Sequence, residues 1–278
     1  MRRTWLFVPG ADGDAHAAAA RSGADVLIQE LEDFTPPGLR PKARALAAGL
    51  YDRWRSAGAL AAVRVNPLET CGREDLAAVL AGRPDVVLMS KVDAPEQVRA
   101  LAAAAPGVDL VPNVESAKGL LRVGEIARAD PRVVALLVAS EDMVADLGTT
   151  RSRGGEELAY VRQRFLLECR AAGVEAIDAP YTFSDVKGAV ADAKWAARMG
   201  YRMKSLVDSA HAQPLNKVFT PDVARARRIV EAFDKARAQG KERARLDGAL
   251  IEVPIYAAAK RLLDSGVQTP PPRRRRRR

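Results

Sequence analysis

The sequence predicts a (β/α)8 TIM barrel with a C-terminal helical extension, and three observations support this fold class. Short apolar runs that fit buried strands alternate with alanine-rich amphipathic segments that fit helices. Eight such pairs follow one another, whereas an open doubly wound sheet more often stops at five or six strands. The length of 278 residues suits one α/β barrel followed by a smaller extension.

The predicted strands are runs of six to eight mostly apolar residues. Several of them end in polar or charged side chains, which is unusual for a buried strand. In chain order they are TWLFVP (4–9), DVLIQELE (25–32), AAVRVN (61–66), DVVLMSK (85–91), DLVPNVE (109–115), VVALLVAS (133–140), EAIDAP (175–180) and YRMKSLV (201–207).

The predicted helices lie between these strands at 14–22, 40–57, 73–82, 94–104, 117–129, 153–173, 184–199 and 209–217. The fourth opens with Asp93-x-x-Glu96, which resembles a capping box. A long helix (221–239), a short segment LDGALIEVP (246–254) and a further helix to about 264 follow the barrel. We therefore expect a barrel domain over 1–220, a helical extension over 221–266 and a disordered Pro/Arg tail over 267–278.

The charge balance argues against a specific nucleic-acid partner. The net charge is +9, but Arg273–Arg278 supply six of these charges and leave +3 on the rest of the chain. An arginine run of this kind attracts anions without sequence specificity.

Cysteine content and hydropathy predict a cytoplasmic protein. Cys71 and Cys169 are the only cysteines and lie far apart, so neither a disulfide framework nor a zinc motif is indicated. The apolar run after MRR is too short for a signal peptide, and no segment has the roughly 20 apolar residues that span a membrane.

Polar side chains cluster where the predicted strands end. In a barrel of parallel strands, the active site lies at these carboxyl ends. The residues are Glu30, Glu32 and Asp33 for strand two, Arg64 and Asn66 for strand three, Lys91 and Glu115 for strands four and five, Glu141 and Asp142 for strand six, and Asp178 and Lys204 for strands seven and eight.

Glu115 and Asp142 are the candidate metal ligands of this set. Burying carboxylates without cations costs several kcal/mol each, so the set predicts mutual pairing, a bound cation, or both. Strands five and six should be neighbours about 5 Å apart, so that both carboxylates could reach one ion. Oxygen ligands of this kind suit Mg²⁺. Alternatively, Glu141 or Asp142 could cap a following helix.

Other classes of site have little support in the sequence. His16 and His211 are the only histidines, and neither ends a predicted strand, which disfavours a zinc site or a Ser-His-Asp triad. There is no Walker loop, and GADG after the first strand lacks the G-x-G-x-x-G spacing.

Several motifs, in this order and spacing, resemble the citrate lyase β-subunit-like branch of the HpcH/HpaI aldolase family. The resemblance extends from about residue 3 to residue 264. Its motifs are RTWLFVPG (3–10), LEDFTPP (31–37), VRVNPL (63–68), MSKVD (89–93), NVESAKGLL (113–121), SEDMVADLG (140–148) and LNKVFTP (215–221).

The resemblance implies a magnesium-dependent TIM barrel that cleaves or forms a carbon–carbon bond between an acyl-CoA enolate and a 2-oxo acid, as in citryl-CoA, malyl-CoA or citramalyl-CoA lyases. It implies that Glu115 and Asp142 hold the metal and that Arg64 binds a substrate oxygen. It also implies a trimer or hexamer in which the C-terminal segment of one subunit covers the active site of a neighbour.

The sequence departs from the family pattern at three places. Gln29-Glu30 replaces an expected Leu-Asp pair, Val207-Asp208-Ser209 replaces an I-H-P stretch, and Glu252 stands where an aspartate is expected. Lengthening a carboxylate side chain by one methylene moves its oxygens by about 1 Å, and a misplacement of this size can lower a rate about a hundredfold. The departures at Glu30, Asp208 and Glu252 therefore predict altered substrate preference.

In the mechanism that this resemblance suggests, Glu252 of a neighbouring subunit handles the proton, with Glu32 or Asp33 as the alternative. Lys91 is expected to pair with these acids, because a lysine among carboxylates stays protonated and is a poor Schiff-base nucleophile. Two other functions remain open: a metal-dependent aldolase acting on a free hydroxy-oxo acid, and a catalytically weakened barrel that serves as a binding or accessory protein.

Overall fold

The computed structural model describes residues 2–266 and contains the predicted barrel. Eight parallel strands form a closed barrel in sequence order. They are β1 (Thr4–Pro9), β2 (Val26–Glu30), β3 (Leu60–Val65), β4 (Val86–Met89), β5 (Asp109–Val114), β6 (Ala135–Val138), β7 (Glu175–Asp178) and β8 (Met203–Leu206). The fold-class prediction is confirmed.

Helices follow the strands along the chain. Those before residue 220 are α1 (Gly13–Ser22), α2 (Arg40–Ser56), α3 (Gly72–Val79), α4 (Pro95–Ala104), α5 (Ala117–Leu120), α6 (Val123–Ala127), α7 (Glu141–Asp146), α8 (Ala159–Ala172), α9 (Val186–Met199) and α10 (Ala212–Phe219). Short 3-10 turns lie at Pro37–Leu39, Leu80–Gly82, Glu156–Leu158 and Ser209–His211.

Two helix predictions were wrong, and one helix was not predicted. The helix expected over 117–129 is broken between α5 and α6, a stretch flanked by Gly119 and Gly124, which have low helical propensity. The helix expected from 153 begins at Ala159, after Gly155 has adopted a left-handed conformation with φ 70°. The short helix α7, directly after β6, was not predicted as a separate element.

The predicted capping box of the fourth helix was also wrong. Helix α4 begins at Pro95, with Ala94 at the N-cap. The side chain of Gln97, rather than Glu96, accepts hydrogen bonds from the backbone N–H groups of Asp93 and Ala94 at 2.8 and 3.1 Å. Proline suits the first helical position because it has no N–H to satisfy, and this shifts the helix start by one residue.

The period-two alternation of the strands separates two layers of core. One face of each strand fills the barrel interior, with Phe7, Ile28, Ala62, Val111 and Leu137 among its side chains. The opposite faces pack against the helices. Residues an even number of positions beyond the interior ones therefore point into the barrel mouth, and those an odd number beyond point toward the helices.

The chain divides into two compact units, with the boundary between Phe219 and Thr220. The second unit contains α11 (Val223–Arg237), an antiparallel hairpin of β9 (Ala244–Leu246) and β10 (Ala249–Ile251), and α12 (Val253–Asp264). Asp247 and Gly248, both with positive φ, form the hairpin turn. The unit has its own small core, which includes Phe233 stacked on Tyr256 at 4.6 Å.

The predicted disordered tail, residues 267–278, lies outside the described residues. Over residues 2–266, no helix has both the length and the apolar character needed to cross a membrane.

Candidate active site

Arg64 lies at the centre of the barrel mouth. It follows the interior residue Ala62 by two positions on β3, so its side chain points inward, where it is 6% exposed. Its Nε and Nη2 atoms each lie 3.0 Å from Glu30 Oε1, and the rings of Phe7 and Phe34 lie 4.8 and 5.9 Å from its Cζ. This packing fixes the plane of the guanidinium group.

Glu30 connects Arg64 to the loop after β2. Its fully buried carboxylate also accepts hydrogen bonds from the backbone N–H groups of Glu32 and Phe34, both at 2.6 Å. Glu30, which stands where an aspartate was expected, therefore contacts both the backbone of this loop and the side chain of Arg64. The preceding residue, Gln29, points the other way and bonds Gly10, Ala43 and Tyr51 outside the barrel.

Glu115 is the least satisfied carboxylate of the mouth. It is 3% exposed, and neither of its oxygens has a hydrogen-bond partner among the described residues. Its nearest ion pair is with Arg64 Nη1, at 3.7 Å. Burial raises the pKa of Glu115 to about 8, with the negative charges of Asp142 and Glu32 adding to the effect and Arg64 opposing it. A divalent cation would stabilise the ionised form of Glu115, which Arg64 compensates only in part at 3.7 Å.

Asp142 lies in the first turn of α7 and is half-buried. It lines the same cleft as Arg64, and its negative charge contributes to the raised pKa values of Glu115 and Lys91. The neighbouring Glu141 is exposed and pairs with Arg151 at 3.3 Å and Thr182 at 2.8 Å. Ser140 occupies the N-cap position, and no side-chain hydrogen bond caps α7 within the described structure.

Glu32 and Lys91 form a second ion pair at the mouth. Lys91 Nζ contacts Glu32 Oε1, and Glu32 Oε2 lies 3.2 Å from Arg64 Nη2. The hydrogen bond to Glu32 raises the pKa of Lys91, which keeps the amine protonated. Burial raises the pKa of Glu32, although Arg64 and Lys91 oppose this. Lys91 adopts a left-handed backbone conformation with φ 56°, which is costly for a non-glycine residue.

Asp33 is half-exposed and lies 3.8 Å from Lys91. It lines a cleft at the barrel mouth together with Phe7, Phe34, Arg64, Leu137, Ala139, Ser140, Glu141, Asp142, Pro180, Thr182 and Val207. A second groove shares Phe34 with this cleft and continues past Pro9, Asp12, Thr35 and Lys42. The two depressions are therefore adjacent, and a long substrate could occupy both.

Asp178 and Lys204 were expected at the mouth, but the structure places them elsewhere. Each follows an interior residue by one position, Ile177 on β7 and Met203 on β8, so both point toward the helices. Asp178 binds Arg162 and Lys204, each at 2.6 Å, and Lys204 also binds Asp192 at 2.6 Å. This buried network ties α8 and α9 to the barrel.

Asn66 is also a structural residue. Its side-chain amide donates to the carbonyl of Leu31 at 2.9 Å and to Asp75 at 2.8 Å, which holds the loops after β2 and β3 together.

Glu252 belongs to the second unit, where it occupies the N-cap position of α12. Its side chain is 52% exposed, and its ion-pair partner is Arg243 at 3.7 Å. Within its own unit, Glu252 is therefore free to contact a group from outside.

Sequence reasoning missed Asn113 and the two phenylalanines that contact Arg64. Asn113 carries a detectable signal, since it is an amide in the otherwise apolar strand LVPNV. Phe34 carries none, because its position depends on the loop conformation after β2. No group of three or more His, Cys, Asp or Glu side chains in residues 2–266 could surround a metal alone, so water or substrate oxygens would have to complete a shell on Glu115 and Asp142.

Comparisons with known proteins agree with this architecture. A model of the HpcH/HpaI aldolase/citrate lyase family matches residues 3–209. The chain is 31% identical over 280 residues to the citrate lyase subunit beta of Haemophilus influenzae, covering 95% of this chain and 96% of that one. It is 32% identical over 267 residues to a (3S)-malyl-CoA thioesterase of Cereibacter sphaeroides, covering 94% and 93% of the two chains.

A solved structure of similar fold is protein CitE from Mycobacterium tuberculosis in complex with magnesium, acetoacetate and coenzyme A. It matches with a TM-score of 0.77 at 28% identity and covers 94% of this chain and 97% of that one.

Proposed function

The chain belongs to the HpcH/HpaI aldolase/citrate lyase family, and we propose that it is a magnesium-dependent carbon–carbon lyase. Its proposed substrate is a hydroxyacyl-CoA such as citryl-CoA, malyl-CoA or citramalyl-CoA, which it cleaves to a 2-oxo acid and an acyl-CoA. The observation that carries the proposal is the buried carboxylate of Glu115, which has no hydrogen-bond partner among the described residues and lies 3.7 Å from Arg64. Arg64 in turn lines one cleft with Asp142.

The residues present fit a magnesium ion. Glu115 and Asp142 would hold it, because both offer oxygen atoms and Glu115 lacks another hydrogen-bond partner in the described structure. When bound, magnesium supplies Lewis-acid polarisation of the substrate oxygens. The CitE structure that contains magnesium supports magnesium as the metal.

Arg64 binds and orients the substrate hydroxyl. Its Nε and Nη2 are held by Glu30, its Nη1 faces Glu115, and its side chain lines the cleft. During cleavage the hydroxyl proton leaves to a base, and the oxygen becomes a carbonyl oxygen. The electrons of the broken carbon–carbon bond pass to the thioester, which becomes an enolate. A fixed guanidinium stabilises the negative charge that develops on the oxygen.

A carboxylate must accept and return the proton. Glu252 of a neighbouring subunit is our first candidate, and its exposed side chain is available for such a contact. If the proton-handling group lies in the barrel itself, Asp33 is our candidate, because it lines the cleft and is half-exposed. Glu32 is less accessible, since its two oxygens face Lys91 and Arg64.

The groove beside the mouth is our candidate for the CoA arm. It opens from the cleft at Phe34 and offers an apolar wall at Pro9 and one cation, Lys42. Substituting Lys42→Ala should raise KM for the CoA ester several-fold through loss of a phosphate contact, without changing turnover. An unchanged KM would place the CoA arm elsewhere.

The experiment that tests the proposed function measures release of 2-oxo acid, acyl-CoA and free CoA. The panel contains citryl-CoA, malyl-CoA, citramalyl-CoA and the corresponding free acids, each with magnesium or with EDTA. Asp142→Ala should abolish release, whereas Glu125→Ala, which removes an exposed carboxylate paired with Arg122 on α6, should behave as wild type. Activity that survives EDTA and Asp142→Ala would contradict the proposal, and release from free acids alone would identify the simpler aldolase.

We further propose a homo-oligomer, a trimer or hexamer, in which residues 221–266 contact a neighbouring subunit. The exposed apolar side chains Leu250, Val253 and Ile255, which flank Glu252, support this. Light scattering on the purified protein would measure the assembly. A cytoplasmic location is our proposal from the free thiols Cys71 and Cys169.

A further inference from the structure

Asn113 is a buried amide that no part of the proposed chemistry uses. It lies on β5, it is 0% exposed, and neither its Oδ1 nor its Nδ2 atom has a hydrogen-bond partner among the described residues. An isolated buried amide destabilises a folded protein, and an apolar side chain would be the less costly choice at such a position. Its presence therefore indicates a polar group that binds to it.

The position of Asn113 places it beneath the candidate active site. It follows the interior residue Val111 by two positions and precedes Glu115 by two, so all three side chains point into the barrel. Its register partner on β6 is Leu137, which lines the cleft. Asn113 thus lies at the inner end of the site, below the carboxylate of Glu115.

Of the four substituents on the carbon that carries the substrate hydroxyl, one is left to face Asn113. The carbon that carries the hydroxyl also carries a carboxylate, the arm that leads to the thioester, and a fourth substituent. The hydroxyl and carboxylate are the groups suited to Arg64 and to the metal ligands, and the thioester arm must leave through the open cleft. The fourth substituent therefore faces inward, toward Leu137 and Asn113.

We propose that Asn113 determines specificity by hydrogen bonding to an oxygen-bearing fourth substituent, a hydroxyl or carboxylate, on the oxo-acid half of the substrate. This inference rests on the proposed lyase function and narrows its substrate class. Among the three candidate thioesters it favours the citryl type, whose fourth substituent is a carboxymethyl group, over the malyl and citramalyl types, which present hydrogen and methyl.

Calorimetric binding of an isosteric pair of 2-oxo acids, with magnesium present, tests this inference. At the fourth-substituent position, 3-hydroxypyruvate carries a hydroxymethyl group and 2-oxobutyrate carries an ethyl group. The two acids therefore differ only in a hydroxyl in place of a methyl. Wild type should bind 3-hydroxypyruvate roughly tenfold to a hundredfold more tightly. Asn113→Leu, which keeps the shape but removes both polar atoms, should abolish or reverse this preference. Asn113→Ala serves as a second variant if the leucine variant does not fold.

Gln29→Leu is the matched control. Gln29 is a buried amide on β2 whose polar atoms are already paired outside the barrel, so its loss should lower stability without changing the preference. If the preference of Asn113→Leu stays within twofold of wild type, or Gln29→Leu changes it equally, the assignment of Asn113 is overturned. A wild-type protein that cleaves a CoA ester but shows no preference for 3-hydroxypyruvate would overturn the assignment of Asn113 alone. Failure to cleave any CoA ester would overturn the proposed function itself.

Discussion

At the scale of single residues, Glu115 lowers the stability of the metal-free protein and is suited to binding a magnesium ion. A buried carboxylate with no hydrogen-bond partner in the described chain opposes folding, and its distance of 3.7 Å from Arg64 gives only partial compensation. We expect Glu115→Gln to raise the unfolding free energy of the metal-free protein by about 1–3 kcal/mol. The same variant should lose the added stability that magnesium gives to wild type.

Urea unfolding with and without magnesium measures both effects. A Glu115→Gln variant that is less stable than wild type, or that is still stabilised by magnesium to the same extent, would contradict this account of Glu115.

Arg64 depends on the shape of its guanidinium group and not only on its charge. Two of its nitrogens share Glu30 Oε1, and the ring of Phe7 lies over its plane at 4.8 Å. A lysine cannot reproduce this contact, because its ammonium group is not planar and cannot present two nitrogens to one carboxylate. We expect Arg64→Lys to lower kcat by about a hundredfold or more, whereas Arg44→Lys, which alters an arginine paired with Asp75 on α3, should keep wild-type kcat. Equal losses in steady-state assays would argue for a general effect on folding.

At the scale of elements, the network behind β7 and β8 supports the barrel and does not take part in catalysis. Asp178 neutralises Arg162 and Lys204 in a fully buried setting. Asp178→Asn should therefore lower the unfolding free energy by about 3 kcal/mol or more, because two buried cations lose a shared partner. KM of the remaining folded enzyme should be unchanged. Glu175→Gln, on the same strand but partly exposed, should change stability by less than about 1 kcal/mol.

Asp192 makes this network sensitive to acid. Burial would raise the pKa of Asp192, but Lys204 and Arg162 outweigh it and lower the pKa to about 2. Since the folded pKa lies below the ordinary value of 3.8, the contribution to stability is complete above about pH 4 and is lost as the pH falls toward 2. Unfolding free energies between pH 2 and 5 should therefore decline less steeply for Asp192→Asn than for wild type. Parallel slopes would show that Asp192 is not responsible.

At the scale of the whole molecule, the proposed contribution of Glu252 across a subunit interface predicts complementation. Asp142→Ala and Glu252→Gln oligomers should each be inactive. When they are dissociated and reassembled together, about one site in four should combine an intact Asp142 with an intact Glu252 from a neighbour. Recovered activity near a quarter of wild type is the expected result, measured as 2-oxo acid release. No recovery, in oligomers shown by light scattering to have mixed, would place the proton-handling group within one subunit, where Asp33 is the alternative.

Much of the architecture follows from local sequence patterns. All eight strands and the two helices after the barrel were predictable, because buried strands are apolar runs and the amphipathic helices between them are alanine-rich. The hairpin of β9 and β10 was not predicted. The strand-end positions of Arg64, Glu115 and Asp142 were predictable for the same reason. Helix boundaries were less predictable, since Pro95 and Gly155 shift or interrupt them through backbone geometry.

The sequence by itself thus determined the barrel, its order of strands and the polar residues at its strand ends. Only the tertiary structure decided which of those residues share one environment. A shift of one position along a strand reverses the direction of a side chain, so Arg64 faces the mouth while Asp178 and Lys204 face the helices. Closure of the barrel then left the side chains of Glu115 and Asn113 without a hydrogen-bond partner among the described residues, because such partners come from strands distant in sequence.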